Sequence, residues 1–278
     1  MQYTKLKGKI VIHDLSQFNV RQIFDCGQIF RYTIKDNMAQ VISIDKMAKL
    51  ISFEDRVEIV SEDIEYFEHF FDLKRDYNFI KQILSKDEFL LPCVKFGYGI
   101  RILNQNLFEM IVSFIVSANN NIKRIKNSLN YLGERFGTNK GEYFAFPTLQ
   151  QLKVATINDF IVAGLGYRAE YMYSTIQTLT EHSLENFNTL TEKEQYEFLI
   201  SLKGVGEKVA HCILLFATHN TNVFPVDTWI NKVYNDLTKT NTTNRQEISK
   251  QLTNKYGELS GYAQQYFFYY YRELKQKK

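Results

Sequence analysis

Apolar and polar positions follow two different periods along the chain. Up to about residue 60, β-branched and aromatic residues come in short runs, at 10–12, 29–33, 40–44, 50–53 and 57–60. Turn formers such as Asp36-Asn37 lie between several of them, and the spacing predicts an antiparallel meander. Over 63–73 and 77–84 the period becomes helical, with Ile64, Phe67, Phe70 and Phe71 at apolar positions. Beyond Gly97 the strand signal fades. Amphipathic segments predict helices at 105–117, 121–136, 149–162, 168–183, 192–202, 207–218, 228–237, 244–255 and 259–274. The predicted fold class is α+β: an antiparallel sheet with helices over residues 1–98, then an all-α domain over 99–278.

Composition agrees with this picture. A length of 278 residues suits one or two domains at about 150 residues each. A 45% hydrophobic chain with 3 Pro and 13 Gly is neither disordered, collagen-like nor linker-rich. Cys26, Cys93 and Cys212 are far apart and form no C-x-x-C pair, which argues against a disulfide framework or a cysteine-rich zinc site and fits a reducing cytoplasm. The first nine residues are polar and basic, so no secretory signal is expected. The most apolar stretch, 107–118, contains Glu109 and is too short to span a bilayer, which leaves a soluble protein as the expectation.

Net charge is only +3, but its distribution is uneven. Residues 53–72 hold eight acidic groups against Arg56, while 95–135 hold six basic groups and two acidic ones. That asymmetry suits a local positive surface facing a polyanion, although two oppositely charged solvated faces would read the same way.

The segment with the most chemistry is Leu202-Lys203-Gly204-Val205-Gly206-Glu207-Lys208-Val209-Ala210. Gly204 and Gly206 flank one apolar residue between two helical patterns, which predicts a tight hairpin with Val205 turned inward. Backbone N–H groups can converge there, and the next helix begins with its positive end nearby. The hairpin therefore suits a phosphate, with a bound structural monovalent cation as a further option. Lys208 and Cys212 stand four apart and share a face of a helix that is apolar almost all round. A lysine held there is either snorkelling to the surface or a partly desolvated amine nucleophile. Farther on, Phe224-Pro225-Val226-Asp227 precedes another helical pattern, so Asp227 reads as an N-cap and equally as a carboxylate held beside the lysine.

Together, the Gly-Val-Gly-x-Lys-Val-Ala hairpin and the Pro-Val-Asp loop resemble the helix–hairpin–helix DNA glycosylases with a Gly/Pro-rich loop and a catalytic Asp (the HhH-GPD superfamily). Further motifs narrow the resemblance to the 8-oxoguanine DNA glycosylase/lyase branch, as a bacterial, Firmicute-like member. They are Cys26-Gly27-Gln28-Ile29-Phe30-Arg31, the Asn119-Asn120-Asn121 segment, the Gly164-Leu165-Gly166-Tyr167-Arg168 loop, and Tyr262-Ala263-Gln264 with Phe268. The motifs occur in the family's order and cover residues 25–270.

The resemblance implies roles. Lys208 would attack the sugar and form a Schiff base, with Asp227 stabilising charge and helping to activate it. Gly27 would offer its carbonyl to the damaged base, Cys212 and Phe268 would sandwich that base, and Gln264 would read its Watson–Crick edge. Tyr167 would fill the gap in the duplex while Asn119, Arg124 and Arg168 contact the opposite cytosine. Gly204, Val205 and Gly206 would hold the DNA backbone. No metal or other cofactor is required, and the implied partner is double-stranded DNA containing 8-oxoguanine, met by a cytoplasmic monomer without membrane contact. Two departures stand out: Trp229 replaces a histidine that contacts a phosphate in many members, and Cys26 has no assigned role. The absence of cysteine after Cys212 excludes the iron–sulfur cluster of the endonuclease III-like branch. A glycosylase for another purine lesion and a non-catalytic helix–hairpin–helix DNA-binding protein are the competing readings.

Overall fold

The computed structural model describes residues 1–276. Six antiparallel strands form one sheet: β1 (Tyr3–Leu6), β2 (Lys9–Ile12), β3 (Tyr32–Lys35), β4 (Met38–Ser43), β5 (Lys46–Ser52) and β6 (Val57–Val60). Their order, β1-β2-β6-β5-β4-β3, joins an N-terminal hairpin to a four-strand meander through the β2–β6 pair. The edge strand β1 escaped the sequence reading because its run, Tyr-Thr-Lys-Leu, is half polar; Gly8 closes its hairpin at φ +76°. The strand expected at 29–33 begins only at Tyr32. Before it, Gly27 turns the chain at φ +80°, and the Gln28 carbonyl accepts from the Gln105 side chain at 2.9 Å instead of a neighbouring strand.

One face of the sheet is covered by apolar side chains. Ile10, Ile12, Val41, Leu50 and Ile59 pack with Phe67, Phe70 and Phe71, which follow from the Ile64–Phe70 helix. Two short helices missed by periodicity, Val20–Asp25 and Leu90–Phe96, flank this region. The later helices form a second core. Sequence character changes near residue 98, but packing divides the chain earlier: Tyr77, Ile80, Leu84, Leu90 and Cys93 already belong to the core of the later helices.

Arg101 binds the two halves together. It is fully buried and donates to the carbonyls of Phe71 (2.9 Å), Gln17 (3.2 Å) and Arg75 (3.1 Å) and to that of Asp72, with its guanidinium 4.0 Å from the Tyr77 ring centre. One of the six basic residues counted toward a positive surface is therefore interior. Another, Lys126, lies 3.7 Å from the centre of the Tyr32 ring.

Two expected helices are each two. Thr156 and Asp159 form a reciprocal cap that starts Ile157–Val162 apart from Leu149–Lys153. Thr180 and Ser183 do the same for Glu181–Glu185 after Arg168–Thr178. The remaining predicted helices are present within a few residues, and the last described element is the Ser260–Gln276 helix. Among the described residues no helix is long and apolar enough to cross a membrane.

Candidate active site

A cavity of about 360 Å³ opens among six segments: the turn after Val20–Asp25, the Leu107–Ser117 helix, the 120–125 turn and helix start, the Glu207–Ala217 helix, the start of Thr228–Thr238 and the C-terminal helix. Its wall contains Gly27, Lys208, Cys212, Asp227, Gln264 and Phe268. Residues as far apart in sequence as Gly27 and Arg272 thus face one space.

The Glu207–Ala217 helix packs against the apolar Leu107–Ser117 helix, which fixes its orientation. Lys208 is half-buried, and its Nζ lies 5.3 Å from the centre of the Phe114 ring. Burial pushes the Cys212 thiol up; Lys208 opposes this by charge and a hydrogen bond, and Asp227 reinforces it. Amine, thiol and carboxylate all line the same cavity. Cys212 is thereby a neutral apolar wall rather than a second nucleophile.

Asp227 caps the Thr228–Thr238 helix. Its Oδ1 accepts from the backbone N–H groups of Trp229 at 3.0 Å and Ile230 at 2.9 Å. The cap directs the carboxylate, so the two sequence readings of this residue coexist.

On the opposite wall, Gly27 is a glycine for two reasons. Its φ of +80° is left-handed, and a Cβ there would come within 2.9 Å of Phe268 Cε1. Gln264 and Phe268 occupy one face of the C-terminal helix. The buried Gln264 Oε1 has no hydrogen-bond partner among the described residues.

The hairpin is as tight as its glycines suggested. Gly204 has φ +89°, and a Cβ on it would lie 2.8 Å from Tyr171 Cβ. Val205 is buried in the helical core, and Thr175 Oγ1 holds the Lys203 carbonyl at 2.8 Å. Gly206 caps the Glu207–Ala217 helix without a side chain, and the space above it is open. A phosphate can therefore approach the first-turn N–H groups.

The Asn119–Asn121 segment links two helices. Asn119 adopts φ +49°, Asn120 donates to the Val116 carbonyl at 3.0 Å, and Asn121 caps Ile122–Phe136. Arg124 is exposed in the first turn of that helix, and Tyr167, in the loop with Gly164 and Gly166, is 56% exposed. Arg168 makes contacts that the sequence reading did not name. It is only 5% exposed and donates to the carbonyls of Ala118 (2.5 Å), Asn119 (2.6 Å) and Leu165 (3.2 Å). In this state it braces the Asn119 turn, leaving two of its five N–H donors for other acceptors.

Sequence reading missed Phe114, Gln265 and Arg272, which also line the cavity. Arg272 had a signal, standing four residues after Phe268 and eight after Gln264 on one helical face. Phe114 had none, being one apolar residue in a helix of them. A larger cleft of about 980 Å³ lies elsewhere, lined by Asp72, Arg75 and His219, but contains no lysine.

A glycine hairpin leading into a lysine-bearing helix, with a helix-capping aspartate on the same cavity and the N-terminal domain supplying the facing wall, marks the class of helix–hairpin–helix DNA glycosylases. The comparisons agree. Residues 10–111 match the 8-oxoguanine DNA glycosylase N-terminal domain, and 112–258 match the HhH-GPD superfamily of base excision DNA repair proteins. A probable N-glycosylase/DNA lyase of Methanothermobacter thermautotrophicus is 31% identical over 229 residues, covering 73% of each chain. The Clostridium acetobutylicum 8-oxoguanine glycosylase/lyase superposes with a TM-score of 0.92 at 37% identity, over 99% of both chains, when bound to double-stranded DNA containing cytosine opposite 8-oxoguanine. Its apo form gives 0.89 at 38% identity, over 97% of this chain and 99% of that one. This chain belongs to the HhH-GPD superfamily, in its 8-oxoguanine DNA glycosylase branch.

Proposed function

We propose that the protein excises 8-oxoguanine opposite cytosine from duplex DNA and then cuts the strand at the abasic sugar, as a bifunctional glycosylase/AP lyase of base excision repair. The observation that carries this is the amine of Lys208 sharing one cavity with the capped Asp227 and the Gly27–Cys212–Gln264–Phe268 wall.

Extruding the nucleotide costs a few kcal/mol of stacking and pairing. Guanine offers a lone pair at N7, whereas the 8-oxo base carries hydrogen there, so the Gly27 carbonyl attracts one and repels the other. The mismatch of two acceptors costs about 1–3 kcal/mol. Cys212 and Phe268 flank the ring, and the Gln264 amide meets its Watson–Crick edge. Tyr167 fills the vacated stack, while Asn119, Arg124 and Arg168 meet the cytosine through donors suited to O2 and N3. The Gly204–Gly206 hairpin takes a backbone phosphate, with a structural monovalent cation as an accompanying ligand.

In the reaction the Lys208 amine attacks C1′. The C1′–N9 bond breaks, and its electron pair leaves with the base, which gains a proton. Asp227 stabilises the positive charge that develops on the sugar. Loss of the amine proton and opening of the sugar ring give a Schiff base, which acidifies the C2′ hydrogen. Removal of that proton breaks the C3′–O3′ bond with the 3′ phosphate as leaving group, and water then frees the lysine. The reading takes the protein to act on DNA as a monomer in the cytoplasm.

The test is borohydride trapping on a duplex with one 8-oxoguanine opposite cytosine. A covalent band is expected with wild-type protein and not with Lys208→Gln or undamaged DNA. Free base without a band would make the enzyme monofunctional. Neither base release nor a band would leave a different lesion or a DNA-binding protein.

A further inference from the structure

The C-terminal helix does more than present Gln264 and Phe268. Gln265 and Arg272 stand seven residues apart, two turns, and both reach the segment that carries Gly27. Gln265 Nε2 donates to the Cys26 carbonyl at 3.3 Å and to Cys26 Sγ at 3.1 Å. Arg272 Nη2 donates to the Asp25 carbonyl and, at 3.0 Å, to the Glu273 carboxylate. The same guanidinium sits 5.3 Å from the centre of the Phe268 ring. One arginine thus touches both the backbone before Gly27 and the ring that closes on Gly27.

The other side of the turn is fixed as well. Gln28 Nε2 donates to the carbonyls of Ile23 (2.9 Å) and Arg101 (2.7 Å) and to Cys26 Sγ (3.2 Å). Cys26 donates in turn to the Ile23 carbonyl at 3.2 Å. The thiol is fully buried, and burial pushes it up to about 12, so it serves as a neutral joint. Arg272 Nη1 lies 3.5 Å from where a Gly27 Cβ would stand, buried and without a hydrogen-bond partner among the described residues. An arginine retained only to satisfy its own donors would not leave one unmet in the interior.

A carbonyl that separates N7–H from a lone pair must be held within about 0.5 Å, because hydrogen bonds weaken steeply with misalignment. We propose that Cys26, Gln265 and Arg272 are positioning residues for lesion reading: they form a clamp that sets where the Gly27 carbonyl meets the base and how Phe268 lies over it. This rests on the reading of the cavity as an 8-oxoguanine pocket. It gives Cys26 the role that the sequence left open.

The experiment compares two substrates for each protein under single-turnover conditions: a duplex with 8-oxoguanine opposite cytosine, and one with a preformed abasic site opposite cytosine. Abasic DNA has no base to read. Arg272→Met is expected to slow 8-oxoguanine excision about tenfold to hundredfold, and Gln265→Leu about threefold to tenfold, while abasic cleavage changes less than about twofold. Parallel losses on both substrates would mean a merely structural role and overturn the proposal, as would unchanged excision. Wild-type protein that cleaves abasic DNA yet leaves 8-oxoguanine in place would refute the functional reading, and this inference with it.

Discussion

Replacing Asp227 by Asn separates the helix cap that the carboxylate forms from the catalytic role proposed for it. The cap consists of Oδ1 accepting from the N–H groups of Trp229 and Ile230 at 3.0 and 2.9 Å. An Asn oxygen accepts both equally well, since Asn and Asp are equivalent at this position. What the Asn variant loses in stability is the charge–dipole contribution, about 0.3–1 kcal/mol. Asp227→Ala loses the cap itself, about 0.5–2 kcal/mol. Catalysis should rank the two differently. In the proposed reaction the carboxylate faces positive charge that develops on the sugar, and removing a preorganised group of this kind slows chemistry about a hundredfold to a thousandfold. Asn and Ala should therefore be comparably slow in single-turnover excision while differing in urea unfolding. Asn protein that cuts within tenfold of wild type would show that the residue is only a cap. An activity loss proportional to the stability loss in both variants would refute the reasoning equally.

Gly27→Ala should be impaired in excision by at least about tenfold: the left-handed backbone disfavours alanine by about 1–2 kcal/mol, and its Cβ would press on Phe268 from 2.9 Å. Single-turnover rates and a melting curve on the same sample check this. A separate prediction concerns pH. Burial lowers His211 and His219 to about 4 from 6.5, so the unfolded chain binds more protons between those values. Stability is complete above about pH 6.5 and falls as pH drops toward 4, by on the order of 3 kcal/mol for each histidine. Urea unfolding at pH 7 and pH 4.5 should show the loss, and a His211→Gln, His219→Gln double variant should flatten it.

The sequence by itself determined most element types and the two-part architecture. Period-2 runs and 3.6-residue faces are local properties, so four of the five predicted strands lay within a few residues of their places, and the Gly204–Lys208 hairpin could be read directly. Of the residues named by the motifs that carry the family resemblance, Gly27, Lys208, Cys212, Asp227, Gln264 and Phe268 line one cavity, while Asn119, Arg124, Tyr167, Arg168 and the Gly204–Gly206 hairpin lie outside its lining. Tertiary structure decided what local pattern cannot encode. It showed that Arg101 is an interior tie rather than surface charge, because burial depends on which carbonyls arrive from residues 17 and 71–75. It turned Arg168 inward onto the Asn119 turn, and it brought Gln265 and Arg272 onto Cys26 and Asp25 across some 240 residues of chain. Periodicity marks the face on which a side chain stands; the partner it meets there is set by how distant segments pack, and sequence spacing carries no record of that distance.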